Sequence, residues 1–337
     1  MPFDFNSILT GPWNNLGYDV VFQHCCQIPD YRGLHGPGTS ENGWPIRWPE
    51  NLDWLENTVV IMQCFDFLTV NDDGVCIELV EMERYFGEHA SQVVVIHWDV
   101  DLGDYYQGPL NLVYFPCHSY ELMHHINDRA DQWESLLDGS RRHRWQCLNG
   151  RVSDVRRWVA TEMLKYPNGI VSLGNDIPLT QFPYSSYFGV ENEDNWLRLL
   201  PVYSQCDINI VTETIYHNPL GIITEKTQMA FLAQQVPIMI GYRGIIDHCE
   251  KLGFDMFRDI VDTSYDWMPD GERWLAAIEL NRGILTDGVD RAALNARLKK
   301  NQEWVRWGWN HKILNDYHAR VIELDDFLTK HVGLRKE

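Results

Sequence analysis

Residues 211–266, VTETIYHNPLGIITEKTQMAFLAQQVPIMIGYRGIIDHCEKLGFDMFRDIVDTSYD, decide the fold. The apolar run 207–211 has strand length, and Thr212, Glu213 and Thr214 follow at the point where a strand of an α/β sheet opens into its ligand crevice. Thr224 has the chemistry of an N-cap for a helix that carries Glu225 and Lys226 in its first turn. Val236-Pro237-Ile238-Met239-Ile240 then reads as a buried strand that ends in Gly241, and a second helix follows. The stretch is therefore a strand, helix, strand, helix unit whose polar residues gather at one edge. A helix start offers unpaired backbone N–H groups and the positive end of a dipole, and Lys226 adds a full charge, so this edge suits a diphosphate. Glu225 is left to accept hydrogen bonds from sugar hydroxyls.

Outward from this unit the same pattern continues. Towards the N-terminus, runs of strand length at 145–148 and 169–173 enclose a helical pattern at 154–165. Further back, runs at 18–22, 58–64, 93–98 and 111–115 are separated by loops and by a helical pattern at 77–86. Strands apolar on both faces belong to mostly parallel sheets covered by helices. Beyond residue 270 the pattern is helical to the C-terminus, at 271–281 and then 291–331. In the last of these, Trp304, Trp307 and His311 fall on one helical face and are expected to pack that helix onto the body, with a stacking platform for bases or sugars as the alternative.

The expected architecture is thus α/β with two Rossmann-like domains and a helical C-terminus. An acceptor-side domain covers residues 1–140, a nucleotide-sugar-binding domain 141–285, and helices packing back on the body 286–337. Two open sheets facing each other place a cleft between their carboxyl edges, where α/β proteins bind ligands.

Several of these residues together resemble a known family. Thr224-Glu225-Lys226 with its apolar helix, Val236 to Gly241, Leu252-Gly253-Phe254 and Asp262-Thr263-Ser264-Tyr265-Asp266 resemble the donor-binding half of fucosyltransferase-like GT-B glycosyltransferases, most closely a group of phage and large-virus sugar transferases. Cys147-Leu148-Asn149-Gly150-Arg151, with Arg156 beyond, is similar to the strand-and-arginine motif that opens the same domain in that group. The likeness spans roughly residues 144–285 and departs from the group at 150–155, where further arginine, proline and histidine are usual. It implies a GT-B-like fold and transfer of a sugar from a nucleotide sugar to an acceptor hydroxyl, by direct displacement with inversion. It also implies that Arg151, Arg156, Glu225 and Lys226 face the donor. Asn149, Glu213 and Thr224 join them as donor-side candidates. The viral pattern makes 5-hydroxymethylcytosine in phage DNA one expected acceptor, a base that would have to flip into the cleft. A glycan is the other, and a non-catalytic nucleotide- or carbohydrate-binding protein is the alternative to an enzyme.

The first half is less specific. The run at 93–98 delivers Asp99-Val100-Asp101, a spacing that holds Mn²⁺ or Mg²⁺ in metal-dependent GT-A transferases. A turn is the better reading of two aspartates after a strand, and the donor unit already supplies positive charge, so no metal or other cofactor is expected. Asp99 is instead ranked with Asp66 and His97 as a candidate general base. The glycine-rich loop at 32–44 lacks the spacing of a Walker or dinucleotide motif, and its His35 is an acceptor-side candidate. Cys117, His118, His124 and His125 are spaced for neither a zinc finger nor a metalloprotease helix.

Composition sets the remaining bounds. A chain of 337 residues with 45% apolar content can bury two cores. No segment approaches the ~20 apolar residues of a membrane span, and the first residues lack a basic leader pattern, so a cytoplasmic protein is expected, in the host cytoplasm if the source is viral. Eight cysteines with no CxxC pair fit reduced thiols. The net charge of -20 opposes unspecific attraction to nucleic acid, whereas the arginines between residues 141 and 157 form the one strongly basic stretch.

Overall fold

The computed structural model describes residues 5–24, 58–63, 70–71, 73–98, 102–129, 137, 141–174, 176–179, 199–214 and 222–334. The chain divides into two compact units, one made of Met1–Cys117 with Ile313–Glu337 and the other of His118–Lys312. Each contains a four-stranded parallel sheet, and the described C-terminal part of the chain is helical. Among the described residues no helix is long and apolar enough to cross a membrane.

In the first unit the strands are β1 (Asp19–His24), β2 (Thr58–Gln63), β3 (Val93–His97) and β4 (Asn111–Tyr114), which lie side by side in that order. All five residues of β3 are buried, as a parallel strand covered on both faces requires. Helix α1 (Phe5–Asn15) precedes β1 and α2 (Ile77–Phe86) lies between β2 and β3, whereas α3 (Cys117–Asp128), which follows β4, belongs from His118 onward to the second unit. The second unit has β5 (His143–Asn149), β6 (Gly169–Leu173), β7 (Cys206–Thr212) and β8 (Val236–Ile240) in the order β6-β5-β7-β8. Its helices are α4 (Asp154–Met163), α5 (Glu225–Leu232), α6 (Ile245–Lys251), α7 (Glu272–Glu279), α8 (Arg282–Asp287) and α9 (Arg291–Glu303). Pro237 can sit in β8 because that strand pairs on one side only among the described strands, so the missing N–H leaves no ladder partner unmet there.

Two devices fix the second sheet. Gly169 begins β6 against the Trp145 indole, and a Cβ there would lie 2.1 Å from the ring, so only glycine lets that tryptophan fill the core. The amides of Gln146, Asn209 and Gln235 lock the register of three strands from inside. Gln235 Oε1 accepts from Gln146 Nε2 at 3.2 Å and Asn209 Nδ2 at 2.9 Å, while its own Nε2 donates to the carbonyls of Tyr203 and Cys206. A buried amide with these partners in place tolerates no slip by one residue.

The tryptophan face expected on the last helix is not the one observed. Residues Trp304–Gly308 form a π-helical turn between α9 and α10 (Trp309–Phe327), which shifts the phase of the helix. Trp304 and Trp309, five residues apart, are the ones that pack. Trp304 Nε1 donates to Leu252 O at 3.0 Å, and Trp309 is buried against the edge of Phe254. Trp307 and His311 are exposed instead. The part of α10 from Ile313 onward belongs to the first unit. There Tyr317 donates to Leu9 O at 2.6 Å and accepts from Trp13 Nε1 at 3.1 Å, and Tyr18 donates to Asp325 Oδ1 at 2.8 Å.

Candidate functional site

The strand order of the second sheet reverses between β5 and β7, because β6 lies on one side of β5 while β7 and β8 lie on the other. Crossovers leave in opposite directions at such a point and open a crevice at the carboxyl ends of the two strands. The first sheet has no such reversal among its described strands. Among the described strands the reversal point lies in the second unit, and the donor-side candidates stand at it.

At the end of β5, Asn149 is buried. Its Oδ1 accepts from the Thr212 hydroxyl at the end of β7, and its backbone N–H donates to Ser172 Oγ at 3.3 Å. This bond holds the two strand ends on either side of the crevice together. Gly150 and Arg151 follow, and Arg151 is exposed and meets no carboxylate among the described residues. Ser153 caps α4 by accepting from Arg156 N. That cap turns the Arg156 side chain inward, where it is 4% exposed and donates to Thr212 O at 3.3 Å, Glu213 O at 3.2 Å and Thr214 Oγ1 at 3.5 Å.

From the other side comes the first turn of α5. Thr224 caps it by accepting from Lys226 N. Lys226 Nζ reaches Thr214 Oγ1 at 3.3 Å, Thr224 Oγ1 at 3.2 Å and Glu225 Oε1 at 2.7 Å. Arg156 and Lys226 thus meet at one hydroxyl, Thr214, beside the start of a helix. Two cations drawn together beside a helix N-terminus have the charge and donors that suit an anion with several oxygens.

Glu213 plays a different part from the other acidic candidate. It is fully buried, and both carboxylate oxygens are taken: Oε1 accepts from Thr224 N at 3.1 Å and Thr227 Oγ1 at 2.5 Å, and Oε2 accepts from Thr224 Oγ1 at 2.5 Å. The side chain clasps the end of β7 to the start of α5 and so positions Lys226 without facing a ligand itself. Glu225 has about a quarter of its side chain exposed and pairs with Lys226.

Beyond β8, residues 241–244 turn into α6, and the segment 262–268 folds against them. Asp266 is 1% exposed, and its Oδ2 accepts from the N–H groups of Ile246 at 3.1 Å and Asp247 at 3.3 Å. Burial pushes its carboxyl up to about 6, against those two N–H groups. On the same helix His248 is buried beside the Tyr242 hydroxyl, and burial pushes its imidazole down to about 3, so it is neutral near pH 7. Burial likewise raises the Cys147 thiol to about 12, which makes it a core group and not a nucleophile. Cys76, Cys147, Cys206 and Cys249 are all buried and in no disulfide.

The basic stretch does not form one face. Arg141 lies at the amino end of β5, where it donates to the carbonyls of Tyr203, Cys206 and Ala233. Arg144 donates to Thr286 O, and Arg157 pairs with Asp154 and Asp176. Arg151, Arg156 and Arg157 lie past the carboxyl end of β5, where Arg157 meets Asp176 beyond the end of β6, and a strand of seven residues, roughly 23 Å long at ~3.3 Å per residue, separates them from Arg141 and Arg144. Thr214, Asp266 and the 241–244 turn are the parts of the site that sequence reasoning did not rank, although all lie inside the stretch it quoted. The position of Thr214, two residues past the strand end, was the available signal.

Of the general-base candidates, His97 is 4% exposed at the end of β3, with its ring edge-on to Tyr114 at 6.2 Å. His35 with its loop, Asp66, Asp99 and Asp101 lie outside the described residues. Among the described residues no three His, Cys, Asp or Glu side chains are grouped to hold a metal ion. No protein-family model, curated protein or solved structure matches the chain.

Proposed function

We propose that this chain is a nucleotide-sugar-dependent glycosyltransferase of the GT-B plan, and that its second unit holds the donor diphosphate at the carboxyl ends of β5 and β7. The observation that supports this reading is the meeting of Arg156 and Lys226 at Thr214, at the reversal point of the sheet and beside the start of α5. In this reading Lys226, Arg151 and the first-turn N–H groups of α5 bind phosphate oxygens, and Glu225 turns from Lys226 to the sugar hydroxyls. Arg156 adds its charge at Thr214, and Thr224, Asn149 and Glu213 hold that edge in shape.

The chemistry follows from these roles. An acceptor hydroxyl attacks the anomeric carbon, the bond from that carbon to the diphosphate oxygen breaks, and the acceptor proton passes to a general base, for which Asp99, Asp66 and His97 are the candidates. The nucleoside diphosphate leaves with the bonding pair, and the cations at Thr214 stabilise the charge that develops on it. Because side chains supply that charge, the proposed transfer needs no metal. The two acceptor classes proposed are a hydroxymethylated pyrimidine in DNA and a glycan, and the split arginine stretch supplies no continuous basic face to favour DNA.

Thermal stabilisation by UDP, GDP, ADP, CMP and their sugars, with Mg²⁺ and with chelator, tests the reading. One nucleotide family is expected to raise the melting temperature with or without metal, and Lys226→Ala is expected to abolish the shift while melting normally by itself. Sugar transfer to 5-hydroxymethylcytosine DNA or to glycans is then measured with that donor. Absence of any nucleotide-dependent shift, or an equal shift in Lys226→Ala, would overturn the donor site, and binding without transfer to any acceptor would favour a non-catalytic binding protein.

A further inference from the structure

The turn after β8 carries an aromatic surface that the phosphate site does not use. Trp267 is 56% exposed, yet its ring is held in place at several points. Its Nε1 donates to Asp247 Oδ2 at 2.8 Å, and Asp247 is itself tied to Arg258. Its rim lies against Gly244, whose φ of 84° and lack of a side chain both matter, since a Cβ there would come to 3.0 Å from the indole. The Arg243 guanidinium stands 5.6 Å from the ring centroid and, among the described residues, pairs with no carboxylate. A large apolar ring fixed in one orientation and left in water is pre-organised for a flat partner.

Its position narrows the partner. Residues 241–244 leave the carboxyl end of β8, and β8 is the immediate neighbour of β7, with Glu213 N donating to Ile240 O at 2.8 Å. Gly241 lies against the Glu213 side chain, a Cβ there coming to 3.3 Å from its Cβ, and Trp267 packs on Gly244 three residues further on, so the ring stands on the same sheet edge as Thr214. We infer that Trp267 is the stacking platform for the nucleobase of the ligand whose diphosphate lies at Thr214, Lys226 and Arg156, an inference that rests on the donor reading above. The base takes the ring face over which Arg243 now stands, and the displaced guanidinium is free to meet phosphate. Stacking on one ring is tolerant of base identity, so this contact supplies affinity for the nucleoside part and leaves the choice of base to other groups.

Calorimetric binding of the selected nucleoside diphosphate and of inorganic pyrophosphate to the full chain tests this. Trp267→Leu is expected to weaken nucleoside diphosphate binding roughly tenfold, within the range of base–aromatic stacking, and to leave pyrophosphate unchanged. Trp267→Phe is expected to restore most of the loss. Trp307→Ala removes another exposed tryptophan with an arginine over it, at 5.2 Å on the π-helical turn, and is expected to change neither affinity. Lys226→Ala is expected to weaken both ligands. Unchanged nucleoside diphosphate binding in Trp267→Leu, equal losses for the two ligands, or an equal effect of Trp307→Ala would each overturn the platform while a Lys226-dependent pyrophosphate site leaves the donor reading standing. If the wild-type chain binds neither ligand, both readings fall together.

Discussion

Removing the Glu213 carboxylate separates two views of the site. If Glu213 faced a ligand, its replacement would act like an exposed substitution, within about 0.5 kcal/mol. The structure instead gives it three donors, Thr224 N, Thr224 Oγ1 and Thr227 Oγ1, all in buried residues. Glu213→Ala leaves those neutral donors without an acceptor, at about 1–3 kcal/mol for each buried group left unmet, and opens a cavity, so the total cost is roughly 3–5 kcal/mol. With a urea slope of about 2 kcal/mol per M, the unfolding midpoint of the second unit falls by about 2 M. Glu213→Gln keeps one carbonyl acceptor and is expected to lose about 1–2 kcal/mol. The assay is urea unfolding followed by tryptophan fluorescence without ligand, so no binding contribution enters. Unfolding of Glu213→Ala within about 0.3 M of wild type, the shift that 0.5 kcal/mol produces at that slope, would refute the clasp and return Glu213 to the ligand side.

Three further outcomes follow from single side chains. Asp266 titrates near 6 in the folded chain, well above its unfolded value, so its contribution to stability is present below about pH 4 and is lost as pH rises through 6. The stability of Asp266→Asn relative to wild type should therefore increase between pH 4 and 7, by an amount on the order of 3 kcal/mol, and a flat or opposite trend in unfolding free energy would contradict the burial-driven shift. The comparison of the two proteins cancels His248, whose depressed imidazole works the other way and costs stability as pH falls below the unfolded histidine value. Arg156→Lys keeps the charge but loses the fork that spans Thr212 O, Glu213 O and Thr214, so the chain should lose about 1–3 kcal/mol of stability and pyrophosphate affinity should drop roughly tenfold under conditions where the variant is folded, and equal affinity would show that the fork is not needed. Tyr317→Phe strips an acceptor from Trp13 and a donor from Leu9 O in a buried setting, which should cost about 1–3 kcal/mol in calorimetric unfolding of the first unit.

Much of the sheet architecture was legible because parallel strands covered on both faces leave an unmistakable sequence trace. Val93 to His97 and Val236 to Ile240 are buried throughout, and both runs read as strands from their unbroken apolar character. The cap at Thr224 was equally plain, because a threonine before a charged first turn has a local cause. What the sequence hid was pairing across the fold. Nothing near Glu213 tells whether its carboxylate turns towards a ligand or towards Thr224 and Thr227, since the answer depends on how residue 213 meets a helix eleven residues on. The arginines between 141 and 157 looked like one patch because they are close in sequence, whereas a full strand lies between Arg141 and Arg156. The tryptophan face on the last helix failed for a geometric reason: a π-helical turn moves the phase on which any periodic reading depends. His35, Asp66 and Asp99 are candidates on sequence grounds alone.

The first unit is written in two pieces, with the whole second unit between them. During synthesis its four strands emerge long before residues 313–334, which supply Tyr317 to Trp13 and Asp325 to Tyr18. Residues 118–312 of the second unit are all synthesised before that segment, while the earlier sheet still lacks it. At a synthesis rate of roughly 5–20 residues per second, the interval from residue 117 to 313 is on the order of 10–40 s, long enough for a nascent apolar surface to need a chaperone.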